Sequence, residues 1–496
     1  MDENLPTDGL ENRVYKNHYT IVVQSIFSFL LLIAFAGAIG YMSSGEMEFR
    51  SSWGILILVI GGTSVFINVR VWMRTTFTFG PTEITVVKDT LFKNEVNIQY
   101  SRLASVNVRK GIINQIFGTT TLLFNVNSSV NARSAEATLT LPDDEANRLR
   151  EMVSSRIFQK AMVIEEEKQE ETLVSVSNMD VILHGFFGQP TSSSLIGLAS
   201  GAYSVATLFI GGGISIVALV IFAMSSIIPW VRTILRYYNY RIYRIGDTIT
   251  VESGLISKYR SSFNIKKVNS VRVREPLLAR LLGKSLLEAE VVGLADSEGL
   301  PLLCPLKGKR VVDDLAVRLV PEFVFETGHH TQPREAFVPT MFNKIFWAAM
   351  LVAVGAVLYL YVTANYHMET GSLDNLVLLT AVAIIAVLLP LLMIIHGLLA
   401  HRNREFEMGD ETFLFVTGGY DRQKEYIRYD KVQVCRVSSG IVQRRFGMGT
   451  CSVGLMTSKG ATSIRSGIFS RTDMELVGKE VMDRIRDGRY DYRRYQ

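Results

Sequence analysis

Val268–Gly283 reads VNSVRVREPLLARLLG. Its first half alternates apolar and polar residues, the period of a strand with one buried face. Its second half crowds Leu277, Leu278, Leu281 and Leu282 at helical spacing and stops at Gly283. Two other stretches align with it without a gap: Leu103–Gly118 (LASVNVRKGIINQIFG) and Val432–Gly447 (VQVCRVSSGIVQRRFG). The apolar positions coincide in all three. Val106, Val271 and Val434 form one set, Val108, Val273 and Val437 a second within one place, and Ile113, Leu278 and Val442 a third. A period near ~165 residues is too long for a solenoid unit and fits a domain copied three times.

Working outward, each copy has an alternating strand upstream, at Ile84–Val87, Ile249–Val251 and Phe413–Val416. In the last two copies a glycine follows, Gly254 and Gly418, and then a second strand. Downstream lie further β-type runs, Thr120–Val126, Leu286–Val292 and Cys451–Met456. Each copy then closes on a predicted helix: Asp144–Gln159 with Asp143 able to cap it, Lys309–Leu319, and Asp473–Arg486 capped by Thr472. Each copy is thus several antiparallel strands followed by a helix, about 80 to 90 residues, just enough to bury a core.

Between the copies the chain is apolar. Crossing ~30 Å of hydrocarbon takes about 20 apolar residues at ~1.5 Å each. Ile21–Tyr41 and Trp53–Val69 meet this as one hairpin, and Ile345–Ala364 and Leu376–Ile395 as another. Leu195–Val231 holds no charged residue and is too long for one span. Gly211-Gly212-Gly213 at its middle predicts a break, giving Leu195–Ile210 and Ile214–Val231, with one long tilted helix or a span plus a re-entrant piece as the alternatives. Six spans result. Arg13 and Lys16, Arg70 and Arg74, Arg232 and Arg236, Lys344, and Arg402 and Arg404 flank the non-turn ends. The turn Ser43–Ser52 has only Arg50 against Glu46 and Glu48, and Asn365–Asn375 has no Lys or Arg. Positive residues stay inside, so both termini and all three copies are expected in the cytoplasm.

Composition narrows the chemistry. Of 496 residues, 48% are hydrophobic, and a net charge of +5 is too mild to demand nucleic acid. Cys304, Cys435 and Cys451 have neither disulfide nor zinc spacing and read as small core residues of a reducing compartment. No phosphate-binding G-x-x-x-x-G-K-[ST], no H-E-x-x-H and no G-x-S-x-G occurs. His329-His330 lies in a polar linker, and His396 and His401 are five apart, on different helix faces. No cofactor, metal or catalytic residue is assigned, and no enzyme is expected.

Three segments of the second copy carry a family resemblance. They are Arg236-Tyr237-Tyr238-Asn239-Tyr240-Arg241-Ile242 leaving the membrane, Gly254-Leu255-Ile256 with Lys258, Arg260, Ile265 and Val271, and Leu277–Gly283. Here the chain resembles the bacterial pleckstrin-homology-like (PH-like) membrane proteins of the YdbT-like family. The likeness spans nearly the whole sequence. The first copy departs from it, with Glu95 where Arg260 aligns, and the third has Ser438-Ser439-Gly440 in place of Glu275-Pro276. The resemblance implies a multi-pass α-helical membrane protein of the bacterial cell membrane. It carries three cytoplasmic α+β domains, each a curved antiparallel PH-like sheet or half-barrel closed by a C-terminal helix.

The expected layout is an N-terminal segment 1–20, hairpin 21–76, first PH-like domain 77–162, acidic linker 163–194 and hairpin 195–237. The second domain 238–325, linker 326–344, hairpin 345–400, third domain 401–490 and tail 491–496 follow. A smaller single-domain membrane protein of the same family is the implied partner, besides membrane lipids and an oligomer. The cations Lys258, Arg260, Lys266, Lys267, Arg422 and Lys424 are the candidate site for anionic lipid head groups or a protein partner. The functional expectation is a non-catalytic membrane scaffold in envelope stress or antimicrobial-peptide resistance. The alternative is a transporter or lipid-handling protein that uses the six-helix bundle.

Overall fold

The structure, a computed structural model, describes residues 13–30, 33, 52–89, 93–126, 137–158, 176–209, 216–291, 302–325, 330–365, 382–457 and 460–487. The chain divides into two compact units, and the second copy is shared between them. One unit comprises 1–172, 239–267 and 292–299; the other comprises 173–238, 268–291 and 300–496.

In the first unit, strands β1 (Val14–Lys16), β2 (Thr75–Phe79), β3 (Glu83–Asp89) and β4 (Lys93–Gln99) form an antiparallel sheet in that order. Strands β5 (Leu103–Lys110), β6 (Thr119–Val126) and β7 (Ala137–Pro142) form a second layer, with a short helix at Ile112–Ile116 and a long helix at Asp143–Phe158. One core joins them. Phe77, Phe79 and Ile84 come from the first sheet, Leu122, Phe124 and Leu139 from the second, and Leu149 and Val153 from the long helix. Their alternate spacing in the strands and three- to four-residue spacing in the helix are what bring them to one interior. The expected strand-and-helix domain is present.

Strand β1 precedes the first apolar segment in the sequence, yet Lys16 pairs with Thr76 beyond it. The first apolar segment therefore lies between two paired strands of the domain. The indole of Trp72 donates to the Asn17 carbonyl (2.7 Å), tying its two ends together. The third copy repeats the device. Thr331 bridges Glu405, the Phe406 N–H donates to the His330 carbonyl (3.1 Å) and the Gln332 N–H to the Arg404 carbonyl (3.0 Å). The segment read as an N-terminal tail thus carries a strand of its domain, and the one read as a linker carries a β-bridge to its domain.

The first unit also holds the opening strands of the second copy, β8 (Arg241–Ile245), β9 (Thr248–Ser253) and β10 (Lys258–Asn264). They continue the sheet of the first copy, in the order β7-β6-β5-β10-β9-β8. In the other unit, β11 (Val268–Glu275), β12 (Lys284–Val291) and β13 (Leu302–Gly308) join the third copy's β14 (Glu405–Met408), β15 (Thr412–Thr417) and β16 (Arg422–Arg428) in the same way, as β13-β12-β11-β16-β15-β14. The third copy closes with β17 (Val432–Ser438), β18 (Met448–Thr457), β19 (Gly460–Arg465), β20 (Phe469–Ser470) and a helix at Arg471–Arg486, around Phe413, Phe415, Tyr429, Val453, Met474 and Val477.

The strand following each 3₁₀ turn carries the same bulge, at Leu103/Ser105, Val268/Ser270 and Val432/Val434. This fixes the alignment and corrects one assignment. Cys435, not Val434, stands with Val106 and Val271, and Val434 is 56% exposed.

The stretch 163–194 is more than an acidic linker. Asn178–Phe187 is a helix, opened by a capping box between Ser177 and Asp180. It lays Leu183 and Phe187 on Leu286, Leu302 and Leu306 of the second copy, and Lys307 pairs with Asp180 at 2.7 Å.

Among the described residues, three helices are long and apolar enough to cross a membrane: Ala218–Tyr237, Arg334–Tyr361 and Ala386–Asn403. Thr20–Leu30 is a shorter apolar helix. The hairpin turns and Gly211–Gly213 lie outside the described residues. On either side of that gap run Thr191–Phe209 and Ile216–Phe222. A Cβ on Gly201 would lie 3.2 Å from the Phe222 ring, so the two helices pack closely there. Each of the last two hairpins has a π-helical turn just ahead of a proline, Ala223–Ile227 before Pro229 and Ile384–Leu388 before Pro390. A proline supplies no N–H, and a π-turn is one way a helix accommodates the missing bond. Val357 and Leu360 on Arg334–Tyr361, and Phe66 on the helix Ser52–Arg74, are about two-thirds exposed, a cost in water that hydrocarbon removes.

Candidate functional site

The closing turn of each copy has one geometry. Gly118, Gly283 and Gly447 adopt φ of 60°, 64° and 65°, each after a five-residue helix and just before the next strand. Each glycine carbonyl accepts a 3.0 Å bond from the first residue of its copy's long helix, Asp143, Lys309 and Arg471 respectively. Around this turn every copy exposes large apolar side chains. Ile116 and Phe117 do so in the first, Leu281 and Leu282 in the second, Ile441 and Phe446 in the third.

These tips sit at the feet of apolar helices. Phe117 meets the ring of Tyr19 edge-on (5.8 Å), one residue before Thr20–Leu30. Met448 clusters with Ala336 at the start of the helix Phe337–Asn365. In the second copy, Leu277 N–H reaches the Asp421 carboxylate (3.4 Å). The same carboxylate takes the N–H of Thr191 (3.1 Å) and its hydroxyl, where the helix Thr191–Phe209 begins.

Beside that second tip lies a cavity of about 370 Å³. Arg280, Gly283 and Lys284 of the closing turn line it, with Glu275, Lys309, Arg422 and the end of an apolar helix, Leu399, Arg402 and Asn403. Five cations thus face one carboxylate. Glu275 is 2% exposed and is held by Lys309 (3.3 Å) and, more loosely, Arg422 (4.0 Å). Arg422 is also claimed by Glu405 at 2.6 Å. Among the described residues, no salt bridge engages Arg280, Lys284 or Arg402. They are the cations left to meet an anion. Guanidinium and ammonium groups around a small concavity suit phosphate oxygens.

The six cations singled out from the sequence are scattered differently. Arg260 is spent on Glu252 (3.0 Å) and the Tyr243 hydroxyl (3.2 Å), and exposed Lys266 faces Asp247 (3.3 Å). Lys267 donates to the Leu103 carbonyl at 3.0 Å, and burial pushes its ammonium down to about 8. Lys258 is exposed and lies opposite Lys110 in the β10–β5 pairing. Burial lowers the Lys424 ammonium, with Arg422 and Lys309 adding to it. Only Arg422 lines the cavity. Arg280, Lys284, Lys309 and Arg402 were missed because they come from separate segments. The one sequence cue was the cluster of bases around Gly283.

The fold and the repeat agree with comparison to known proteins. The bacterial PH domain family matches residues 27–157, 194–318 and 344–492. Each match begins inside or just before an apolar hairpin, as expected if the hairpins belong to the domains. The transmembrane protein YdbT of Bacillus subtilis (strain 168) is 20% identical over 473 residues, covering 88% of this chain and 90% of its own. No solved structure matches the chain. With three matches spanning most of its length, and with apolar helices rooted in the matched segments, the chain belongs to the bacterial PH domain family as a YdbT-like membrane protein.

Proposed function

We propose that this protein is a non-catalytic scaffold of the bacterial cell membrane whose PH-like domains grip anionic lipid head groups at the cytoplasmic face. The observation that carries it is the cationic cavity at the foot of an apolar helix, next to the exposed pair Leu281 and Leu282. An apolar tip flanked by bases is suited to the boundary between acyl chains and phosphates. Each base near an anionic leaflet adds about 1 kcal/mol. In this reading the apolar segments form six spans with both termini inside. A companion membrane protein with a single PH-like domain is a partner of the assembly.

The test uses the full chain in nanodiscs, with retained phosphatidylglycerol counted by native mass spectrometry. Replacing Arg280, Lys284 and Arg402 by Ala should cut retention about tenfold or more, and high salt should shrink the difference. Glu275→Gln, which removes the one carboxylate, should raise retention. Equal retention in parent and triple variant would sink the lipid reading. Orientation is checked separately, in a chain with its native cysteines replaced by Ala. A cysteine at Ser372 should label from outside intact cells and one at Ser257 should not; labelling at Ser257 would reverse the topology.

A further inference from the structure

Two sheet junctions inside this chain are the same junction. In the first, Lys258, Tyr259 and Arg260 of β10 stand opposite Lys110, Arg109 and Val108 of β5. In the second, Arg422, Gln423 and Lys424 of β16 stand opposite Glu275, Arg274 and Val273 of β11. Position by position these are equivalent residues of successive copies, so the strand before each copy's 3₁₀ turn pairs with the strand after the 3₁₀ turn of the preceding copy, in one register. Side chains reinforce both. Ser261 donates to Asn107 (3.1 Å) at the first, and Arg272 pairs with Glu425 (2.9 Å) at the equivalent place in the second.

The series leaves two ends open. Among the described residues, strand β4, which precedes the first copy's 3₁₀ turn, ends its sheet, and so does β17, the third copy's counterpart of β5 and β11. Their side chains are uncovered where the paired counterparts are buried. Val434 is 56% exposed and Ser270, at the same place in β11, 0%. Asn97 of β4 is exposed, whereas the equivalent Tyr426 of β16 is 7% exposed. A bare strand edge is a template for another strand.

We propose that β17 of one molecule accepts β4 of a second copy of this chain, head to tail, in the register already used twice within each molecule. Asn94 then lies opposite Ser438, Glu95 opposite Val437 and Val96 opposite Arg436. No like charges meet in these pairs, unlike the Lys258–Lys110 pair the first junction tolerates. Arg102, exposed, is the first copy's equivalent of Lys267. It takes over the bond Lys267 makes to Leu103 by donating to the Val432 carbonyl of the other molecule. Such a contact is heterologous, and it closes into a ring or runs on as a chain of molecules along the membrane.

The test is cross-linking between two differently tagged full-length chains in one membrane, each with Cys304, Cys435 and Cys451 changed to Ala. One carries Asn94→Cys and the other Ser438→Cys; a parallel pair carries Glu95→Cys and Val437→Cys. Neighbouring pairs alternate between wide and close Cα spacing, so one of the two suits a disulfide. The expected result is a mixed-tag product at twice 55.5 kDa. Asn94→Cys with Gln433→Cys, out of register, should give none. The proposal is overturned by no mixed product from either pair. It is equally overturned by equal linkage in the out-of-register pair, or by linkage only within a chain carrying both cysteines. Linkage only to a different polypeptide would assign the edges to another partner and overturn it too.

Discussion

At the residue scale, Lys267 shows how the junction between copies bears on a single charge. Lys267 occupies the 3₁₀ turn before β11, and its ammonium donates to the Leu103 carbonyl. Burial therefore wins, and the group falls from 10.5 to about 8. A base depressed in the fold is unfavourable there while charged. Below about pH 8 both states hold the proton; between about 8 and 10.5 only the unfolded chain does, so stability should rise with pH across that window. The gain is at most about 3 kcal/mol, less any solvent screening. Lys267→Met should flatten this rise in thermal melts, and an unchanged pH profile would mean that the ammonium is solvated. The sequence showed Lys266-Lys267 as a basic pair and placed both in the candidate site for lipid head groups or a partner. Nothing in side-chain type distinguishes the exposed lysine from the buried one.

At the element scale, the closing turn was the most legible feature. Gly118, Gly283 and Gly447 were expected at one place, after a short helix and before a strand, and they are there with nearly equal positive φ. An added Cβ at Gly283 would have nothing within 4 Å, so a substitution there meets strain in the backbone and not a clash. Gly283→Val should cost about 1–2 kcal/mol, and Gly283→Asn much less, since Asn tolerates this region. Chemical denaturation of the two variants gives the comparison; equal midpoints would mean that the turn relaxes freely. Other features were hidden for physical reasons. Alternation tells which face of a strand is buried but not which edge finds a partner, so the pairing of β10 with β5 and β16 with β11 left no trace in the pattern. The strand Val14–Lys16 was unreadable because its partner lies beyond an entire hairpin, and three residues carry no period. The candidate cavity was read at the wrong turn. Exposed bases near Gly254 drew attention, while those around Gly283 are assembled only when a distant helix end brings Arg402 beside them.

At the scale of the molecule, the boundaries of the repeats and of the compact units do not coincide. The middle copy gives β8–β10 to one compact unit and β11–β13 with the helix Lys309–Leu319 to the other. Its two central strands, β10 and β11, take their outer partners from neighbouring copies. The helix Asn178–Phe187 covers Leu286, Leu302 and Leu306 from outside the repeat. The length of this copy, about 80 to 90 residues, suggests a domain able to stand alone. Excision of residues 238–325 should show otherwise. The fragment exposes two long strand edges and an uncovered apolar patch, the combination that favours edge-to-edge aggregation. It should elute from size exclusion as large species without a cooperative melt. Adding residues 176–187 back through a flexible linker should recover part of the solubility, because that restores the cover but not the edges. A monomeric fragment of 238–325 with a sharp thermal transition would mean that the junctions are ornaments on self-sufficient domains. An aggregating one would mean that hydrogen bonding between copies is part of what folds each of them.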